Sequence, residues 1–558
     1  MRFRPDPTLR SLAPTIRLGG SPLRLWRLSE TGAALVDRLG SGADVEVASG
    51  SAVESLVDRL VDAGVLHPDP AASSAAQEGS SCTALAASPH LGAADVTVVI
   101  PVKDRLNSLG RLLTSLGSTI AAGATVIVVD DGSADAAAHE RVTAAHGATY
   151  VRRDRVGGPA VARNEGLARV TTPLVAFLDS DCTIPDASSG TPADASTGTS
   201  TGTAWGSLDC EGSSDPAPDP PHWLSAPLAL LDGAGIAVVA PRVRTPAGAP
   251  SVGRDSSSAR PSARLPPRVA RYESFRSPLD MGAEPARVAP GTRVSYVPAA
   301  ALLARVEVLR GVGGFDATLR VGEDVDLIWR LVDAGYTVRY EPTSIVEHPA
   351  RADLRRWLRQ RIDYGSSAAL LDARHPMEVA PVHCSPWSAL GWGLLALGPA
   401  PLGPVAGVAV MAGSAAALPH RLDGVPARVS LQLAATGHLG AGRQLARAVV
   451  RAWWPLAVPA ALVWRPARRA VVASVAVVAV DAALDARRSD ARRSDARRAE
   501  AGAQGGATRQ LGLGDLAAIS FLAVLDDLAY GAGVWLGCWR QRSFRSLRAR
   551  FARSTHRL

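Results

Sequence analysis

Two carboxylates separated by one residue follow an apolar run in the first half of the sequence. The run is Leu174–Leu178, and the carboxylates belong to Asp179 and Asp181. Both can approach one divalent cation that bridges two phosphates, and hard oxygen ligands select Mg²⁺ or Mn²⁺. His348, in a loop after the last predicted strand, is a further candidate ligand. The alternative for His348 is a structural or solvent-facing histidine.

Another pair of acidic residues ends an earlier apolar run. Asp130 and Asp131 follow the β-branched segment 124–129 and precede Gly-Ser. Their carboxylates could accept hydrogen bonds from a base N–H or a ribose hydroxyl. An isolated Asp-Gly-Ser is more often a simple turn, so this motif gains weight only from its neighbours.

A glycine-containing segment lies between these two acidic motifs. It reads Gly157-Gly-Pro-Ala-Val-Ala-Arg163-Asn164-Glu-Gly166 and predicts the start of a helix. Glycine allows a ligand to approach the backbone closely, and the N–H groups of a helix start together with Arg163 suit a diphosphate. An isolated glycine-rich turn is more often structural.

A last acidic segment, from Gly322 to Asp326, follows Gly-Gly-Phe-Asp at 313–316. A carboxylate placed beside a sugar can deprotonate an attacking hydroxyl. We assign that role to Asp324, with Glu323 as the alternative. We expect Asp326 to make a local hydrogen bond.

The elements predicted around these motifs bring them to one edge of a sheet. Residues 96–100 and 124–129 predict strands, and the helical spacing of 106–116 between them makes a βαβ unit. Tyr150-Val151 and the run before Asp179 continue the alternation. The expected fold is therefore α/β, with a mostly parallel, doubly wound sheet and a site at the strand C-terminal ends.

The first 70 residues predict a separate small unit. Ser29 is the candidate N-cap of a helix, and a second helix covers roughly 51–63. The buried face of the first helix carries three apolar residues, Leu35, Val36 and Leu39.

Three segments are too rich in small and polar residues to bury a core. Residues 71–94 predict a linker to a catalytic domain at 95–365. Within that domain, 186–221 and 245–267 predict mobile low-complexity loops.

Beyond residue 386 the sequence becomes apolar. Residues 388–419 contain no charged side chain and exceed the roughly 20 residues that cross a bilayer. Residues 386–540 therefore predict a hydrophobic helical region associated with a membrane, and the alternative is a buried helical domain. Arginine-rich flanks, including a basic tail at 541–558, would lie on the cytosolic side. The Asp-Ala-Arg-Arg-Ser repeat from Asp485 predicts a solvated connector.

Composition narrows the possible partners and compartments. Lys and Arg (60) exceed Asp and Glu (52), a formal net charge of +8, but no nucleic-acid motif accompanies the excess, so no nucleic-acid partner is expected. The five cysteines lack the spacing of a disulfide scaffold or a zinc site and indicate a reducing compartment. No secretory signal peptide is predicted, so we expect the catalytic part at the cytoplasmic face of the cell membrane.

The four motifs together resemble those of family 2 glycosyltransferases with a GT-A fold, over residues 95–365. The resemblance implies a UDP-sugar donor, a divalent cation at Asp179-Ser-Asp181 and inversion at the anomeric carbon. It implies nucleotide-sugar contacts from seven residues, namely Pro101, Asp130, Asp131, Gly157, Arg163, Asn164 and Asp179. The chain departs from the family at 186–221, where relatives run on almost directly after the metal motif.

The N-terminal unit resembles a PqqD-type domain, a small winged fold that binds precursor peptides. The resemblance is carried by Leu23-Arg-Leu-Trp-Arg-Leu-Ser-Glu-Thr-Gly-Ala33 and Leu60-Val-Asp-Ala-Gly-Val-Leu66. Such a unit joined to a family 2 enzyme resembles the glycosyltransferases of mycofactocin systems. This implies that β-linked glucose units are added to the peptide-derived redox cofactor premycofactocin, so the partners would be a UDP-sugar donor and a mycofactocin precursor peptide or derived acceptor.

Two other functions compete with this one. A membrane glycosyltransferase could act on a lipid or polysaccharide acceptor, which the apolar tail favours and the PqqD-like segment opposes. A catalytically inactive peptide-binding scaffold is opposed by the presence of Asp179, Asp181 and Asp324.

Overall fold

A computed structural model gives the structure of most of the chain. The described residues are 2–41, 43, 51–70, 91–185, 222–232, 235–246, 267–350, 353–501 and 511–551. The predicted low-complexity loops, most of the predicted linker and the end of the basic tail therefore lie outside the described residues.

The N-terminal unit folds as short strands around two helices. Its elements are β1 (Phe3–Pro5), β2 (Arg10–Ala13), β3 (Ile16–Gly19), β4 (Arg24–Arg27), α1 (Glu30–Gly40), α2 (Ala52–Asp62) and β5 (Leu66–Pro68). Strands β2, β3 and β4 form one antiparallel sheet, and β1 pairs with β5. Ser29 caps α1 as predicted, because its Oγ accepts the Gly32 N–H at 3.1 Å. Val36 and Leu39 are fully buried, and Leu35 packs at the margin of the same core.

The predicted catalytic domain begins with an alternation of strands and helices. Its elements are β6 (Val96–Val102), α3 (Leu106–Ser115), α4 (Gly117–Ala121), β7 (Thr125–Asp130), α5 (Ala136–Ala145), β8 (Thr149–Arg152), α6 (Pro159–Arg169), β9 (Leu174–Leu178), α7 (His222–Asp232), β10 (Ile236–Arg244), α8 (Pro267–Arg276), β11 (Ala286–Arg287), β12 (Ala301–Arg305), α9 (Val306–Gly311), α10 (Glu323–Asp333) and β13 (Thr337–Glu347). The strands β6 to β9 fall where the sequence predicts them.

These strands form one eight-stranded sheet in the order β11-β13-β10-β12-β9-β6-β7-β8. The pairs among β6, β7, β8 and β9 are parallel, whereas β12 is antiparallel to β9 and β10. The chain turns from β6 to β7 and β8 on one side, then returns to β9 on the other. The predicted α/β fold with a mostly parallel sheet is confirmed, and the reversal beside β6 opens a crevice at the strand C-terminal ends.

Helix α6 approaches the sheet closely at one glycine. A Cβ on Gly166 would overlap the Cγ1 of Val99 in β6. Glycine is therefore required there for α6 to lie against the central strands, and this contact sets the position of Arg163 on the same helix.

The C-terminal region is helical, as predicted. It contains α11 (Leu354–Ser366), α12 (Ala368–Arg374), β14 (His383–Cys384), α13 (Pro386–Leu397), α14 (Leu402–Ala417), α15 (Ala427–Arg451), α16 (Trp454–Val463), α17 (Arg465–Ala501), α18 (Leu513–Gln541) and β15 (Arg550–Phe551). The repeat that predicts a connector lies within α17, a helix of 37 residues. Among the described residues, Leu402–Arg421 and Leu513–Gln541 have the length and hydropathy of membrane spans, and their most apolar windows are 11% and 44% buried.

The N-terminal unit is docked on the catalytic sheet through buried charges. Arg339 of β13, 3% exposed, donates to the Val61 and Leu66 carbonyls at 3.2 and 3.4 Å and contacts His67 Nδ1 at 3.2 Å. Glu341 of the same strand, 1% exposed, accepts from Arg4 at 2.5 Å. These contacts fix the unit to β13, which lies next to the edge strand β11 on the side of the sheet farther from β8.

Candidate active site

Asp179 lies just past the end of β9, at the edge where the parallel strands end. Its backbone N–H donates to the Ala300 carbonyl at 3.1 Å, which holds it beside the start of β12. Its side chain is 32% exposed, and Oδ1 accepts from Arg163 Nη2 at 2.7 Å. The carboxylate is thus fixed in position while it remains open to a ligand.

Arg163 joins this strand end to the last acidic motif. Its Nη1 donates to Glu323 Oε1 at 2.9 Å, and its guanidinium lies over the Phe315 ring, 5.3 Å from the centroid. Burial by itself would lower the pKa of Arg163, but Asp179 and Glu323 raise it above the ordinary value. The side chain is therefore a permanently charged link between two carboxylates that the sequence places in separate motifs.

Glu323 and Asp324 begin α10, directly after Gly322, whose φ is 84°. Burial and the neighbouring Asp324 raise the pKa of Glu323 to about 7, although Arg163 lowers it. Burial also raises the pKa of Asp324, whose Oδ1 accepts the Val325 N–H at 2.8 Å. Carboxyl groups with raised pKa values are suited to take a proton near neutral pH.

Asp130 ends β7 and is fully buried. Its carboxylate accepts from the Ser133 N–H at 2.8 Å, the Tyr150 hydroxyl at 2.6 Å and Arg152 Nη1 at 2.7 Å. Burial by itself would raise the pKa of Asp130, but these hydrogen bonds lower it overall. Asp130 thus ties β7 to β8. Its contact with a nucleotide stays a prediction.

Asp131 occupies the helix start that we expected to receive a diphosphate. Its carboxylate accepts the Gly157 N–H at 2.9 Å and the Gly158 N–H at 2.7 Å, and it pairs with Arg153. A carboxylate is a natural partner for helix N-terminal N–H groups. In the structure these amides therefore hold Asp131, and Arg163 points to Asp179 and Glu323. Binding of a diphosphate at this helix start stays a prediction.

Asn164 holds main chain near the site, and Pro101 lies toward the end of β6. Asn164 donates to the Phe315 carbonyl at 2.7 Å and accepts the Phe315 N–H at 2.9 Å, which anchors the loop before α10. Pro101 lies in β6 beyond Val99, the last residue of that strand paired with β9. Direct contact of Asn164 or Pro101 with a nucleotide sugar stays a prediction.

The predicted metal ligands are close together but do not converge as a ready-made site. Asp181 Oδ1 lies 3.3 Å from His348 Nε2, and Oδ2 pairs with Arg105, whereas Asp179 turns to Arg163. No group of three His, Cys, Asp or Glu side chains in the described part of the chain has metal-binding geometry. Two carboxylates and an imidazole nonetheless fit the chemistry of Mg²⁺ or Mn²⁺, provided that the arginine contacts rearrange.

Asp326 has the local role that we expected. Its carboxylate accepts from Arg330 Nε at 2.7 Å, one helical turn away, and pairs with His375 Nε2 at 3.0 Å. Arg330 also donates to the Val312 and Gly314 carbonyls at 2.7 and 2.6 Å, so it holds the loop before α10.

Sequence reasoning missed the arginines that neutralise the site carboxylates. Arg105, Arg152 and Arg153 pair with Asp181, Asp130 and Asp131 respectively. A signal for two of them was present, because Arg152 and Arg153 directly follow the predicted strand at 150–151. Parallel neighbours end at the same edge of a sheet, so those side chains had to meet the carboxylates after β7.

Comparison with known sequences gives matches along almost the whole chain. Residues 97–189 match the family model described as glycosyl transferase family 2, and residues 268–464 match that of glycosyl transferase family group 2. The pre-mycofactocin glycosyltransferase of Mycobacterium tuberculosis is 35% identical over 536 residues, which cover 95% of this chain and 93% of the relative. Glycosyltransferase AglE of Haloferax volcanii is 25% identical over 46% of this chain and 67% of its own length.

Two solved structures have a limited likeness to this chain. The mannosyltransferase PcManGT of Pyrobaculum calidifontis, in complex with GDP-Man and Mn²⁺, has a TM-score of 0.32 at 18% identity and covers 61% of this chain and 79% of its own. Residues 1–349 of S. aureus TarS in complex with UDP have a TM-score of 0.27 at 15% identity, with 49% and 65% covered. By the two family matches and the similarity to the Mycobacterium tuberculosis enzyme, this chain belongs to the family 2 glycosyltransferases, together with the pre-mycofactocin glycosyltransferases.

Proposed function

We propose that this enzyme transfers glucose from UDP-glucose to the peptide-derived redox cofactor premycofactocin, with inversion, and builds a β-linked oligoglucoside. The observation that carries the proposal is the bridge from Asp179 through Arg163 to Glu323. It brings Asp179, a carboxylate suited to the divalent cation of the donor, within one side chain of Glu323 and Asp324, the carboxylates suited to the acceptor hydroxyl. The name of the Mycobacterium tuberculosis relative supports the choice of acceptor.

In the proposed reaction, an acceptor hydroxyl attacks the anomeric carbon from the side opposite the leaving UDP. The new carbon–oxygen bond forms as the bond to the diphosphate oxygen breaks, and UDP departs with the electron pair. Asp324 takes the hydroxyl proton, with Glu323 as the alternative base, since the pKa values of both carboxyl groups are raised. Arg163 orients Glu323 and keeps its charge balanced.

We propose Mg²⁺ or Mn²⁺ as the cofactor, held by Asp179, Asp181 and His348. When bound, such a cation would offset the negative charge of the leaving diphosphate. Arg105, which pairs with Asp181 here, would then be released toward the phosphates. The remaining donor contacts are assigned to Asp130, Asp131, Gly157 and Asn164, with Pro101 lining the base of the crevice.

The domain roles follow the predicted boundaries. Residues 1–70 form the PqqD-like unit that we propose binds the precursor peptide or derived acceptor, and 71–94 link it to the catalytic domain at 95–365. The helical region at 386–540 and the basic tail at 541–558 hold the enzyme at the cytoplasmic face of the cell membrane. Exposed apolar residues in this region, such as Leu402 and Trp539, support this association.

A second candidate is transfer to a lipid or polysaccharide acceptor, which the same exposed apolar helices favour. Full-length enzyme in detergent, incubated with UDP-glucose, Mn²⁺ and premycofactocin, separates the two by mass spectrometry of the products. We expect successive hexose additions to premycofactocin and a β configuration by NMR of the anomeric proton. Transfer only to extracted membrane lipid would establish the second candidate, and absence of UDP release with either acceptor would leave the inactive-scaffold hypothesis.

A further inference from the structure

Helices α13 and α14 form an antiparallel hairpin with an apolar outer face. Residues 386–419 contain no Asp, Glu, Lys or Arg. On the outer face, Leu402, Val405 and Val408 are 74%, 66% and 54% exposed. Contiguous apolar surface of this kind is rare on soluble proteins unless a partner covers it.

The two helices pack through small residues. A Cβ on Gly407 would lie 2.5 Å from the Gly391 carbonyl oxygen, and one on Gly403 would lie 2.5 Å from Gly398. Backbones that approach this closely through glycine are typical of helix pairs in lipid, where burial of apolar side chains gives no advantage over lipid contact.

Polar side chains of the hairpin are turned inward and hydrogen-bonded. Ser388 and Ser414 contact the two ring nitrogens of His438 at 2.9 Å each, and Trp392 Nε1 donates to the His438 carbonyl at 2.7 Å. An unpaired polar group is strongly unfavourable in hydrocarbon, so the internal pairing of these side chains is compatible with a bilayer.

The turn between the helices has few backbone donors to satisfy. Pro399 and Pro401 have no N–H, the Gly398 N–H donates to Leu394 at 2.9 Å, and the Gly403 N–H donates to Pro399 at 2.7 Å. The two prolines and these two hydrogen bonds reduce the number of main-chain N–H groups that the tip of the hairpin presents to its surroundings.

The first arm of the hairpin is too short to cross a bilayer, and both ends return to one side. The 12 residues of α13 span about 18 Å, less than the hydrocarbon thickness of about 30 Å, whereas the 20-residue apolar stretch Leu402–Arg421 that contains α14 just reaches that thickness. At the base, Cys384 pairs with Phe551, and Leu422 packs on Ile16 of the N-terminal unit.

The base of the hairpin has the residues of a membrane interface. Trp387, the second residue of α13, is 53% exposed, and tryptophan is enriched at the level of lipid headgroups. Arg421 and Arg428 are exposed just after α14 and complement anionic headgroups.

We propose that this hairpin is re-entrant: it enters one leaflet of an anionic bilayer from the cytoplasmic side, with residues 398–401 in the hydrocarbon, and returns to the same side. The inference rests on the proposed membrane association and specifies how that association is made. It does not depend on the proposed transfer reaction.

Cysteine accessibility tests the path of the chain. In the full-length enzyme with its native cysteines replaced by alanine, Ala380→Cys, Leu402→Cys and Asp423→Cys report on the two ends and the tip. We expect a membrane-impermeant maleimide to label positions 380 and 423 in inside-out vesicles only, and position 402 in neither orientation. Labelling of position 423 only in spheroplasts would show that the chain crosses the bilayer between positions 380 and 423. Ready labelling of position 402 in vesicles would show that the hairpin lies outside the bilayer. Either result overturns the proposal.

A charge at the tip tests the strength of insertion. Leu402→Glu should lower the fraction of enzyme that floats with phosphatidylcholine–phosphatidylglycerol vesicles by more than about tenfold, whereas Tyr336→Glu, on the catalytic domain, should leave it unchanged. If Leu402→Glu floats with vesicles as well as the parent enzyme does, the proposal is wrong. It is also wrong if, in the absence of vesicles, the enzyme is a dimer in which position 402 of Leu402→Cys is protected from the maleimide. Transfer activity in detergent micelles, measured in parallel, should be equal for all three proteins and reports separately on the proposed function.

Discussion

The guanidinium of Arg163 donates from Nη1 to Glu323 Oε1 at 2.9 Å, although the two residues are 160 positions apart in the chain. Both side chains are buried, at 4% and 10% exposure. A buried carboxylate that loses its cationic partner is strongly destabilised, so this pair fixes the start of α10 to α6. The same guanidinium holds Asp179, and the geometry of both motifs therefore depends on one residue.

Arg163→Lys should damage catalysis while the charge is kept. A lysine ammonium cannot reach two carboxylates in the fork geometry of a guanidinium, so Asp179 and Glu323 would move apart. We expect kcat/KM to fall by about 10²-fold, as measured by UDP release. Arg169→Lys, on the exposed face of the same helix, is the matched control and should be near normal. Equal activity of the two variants would contradict the linking role of Arg163.

Asp324→Asn should lower kcat and leave donor and metal binding intact. Asparagine keeps the shape of the side chain but cannot accept the proton, and loss of a general base costs about 10²- to 10⁴-fold. Glu323→Gln must be measured beside it, with Asp333→Asn at the end of α10 as control. Collapse of kcat in Glu323→Gln alone would transfer the role of base to Glu323, and normal rates in both would exclude a carboxylate base in this motif.

Asp179→Asn and Asp181→Asn should each abolish transfer and weaken metal-dependent UDP binding. Each change removes one anionic oxygen from a hard cation. Calorimetric titration of UDP with and without Mn²⁺ measures the effect, and Asp154→Asn, on an exposed loop, is the control. Unchanged metal dependence in either variant would remove that residue from the metal site.

The contact between the N-terminal unit and the sheet should weaken in acid. Burial lowers the pKa of His67 to about 4, below its ordinary value of 6.5, so the folded state favours the neutral ring. Its contribution is then complete above about pH 6.5 and is lost as the pH falls toward 4. Asp6, whose pKa is lowered to about 2 by hydrogen bonds from His67 and Thr8 that outweigh burial, adds a further loss only below about pH 3.8.

Between about pH 6.5 and 4, the free energy of unfolding of this unit should fall by at most about 3 kcal/mol. Hydrogen–deuterium exchange of β1 and β5 measures the change. His67→Gln should remove the pH dependence in this window, and His222→Gln, at an exposed position, should retain it. The same pH dependence in His67→Gln would assign it to another group.

Deletion of residues 1–70 should spare UDP-sugar hydrolysis and raise the apparent KM for the acceptor, because the unit is proposed to bind and not to react. The deletion also leaves Arg339 and Glu341 without their contacts in the N-terminal unit, so we expect a lower melting temperature. Comparison with Arg4→Ala, which loses only one of these contacts, separates stability from recognition. An unchanged KM in the truncated enzyme would exclude the recognition role.

The sequence by itself determined the order of the strands along the chain and the ends at which the acidic motifs fall. Apolar runs of strand length fixed β6 to β9, and an acidic residue after each of two runs placed Asp130 and Asp179 at one edge of the sheet. Ser29 was predictable as a helix cap because capping depends on residues only three positions apart. Local periodicity and capping depend on neighbouring residues, so a single sequence is enough to find them.

The tertiary structure alone decided which side chains meet across the crevice. Nothing near Arg163 in the chain shows that its guanidinium would bridge Asp179 to Glu323, or that the Asp131 carboxylate would accept the N–H groups of the helix start. Nor could β13 be identified as the strand that receives the N-terminal unit through Arg339. Such contacts join residues that are tens to hundreds of positions apart, and their geometry follows from how the helices and the sheet pack, which local sequence patterns do not encode.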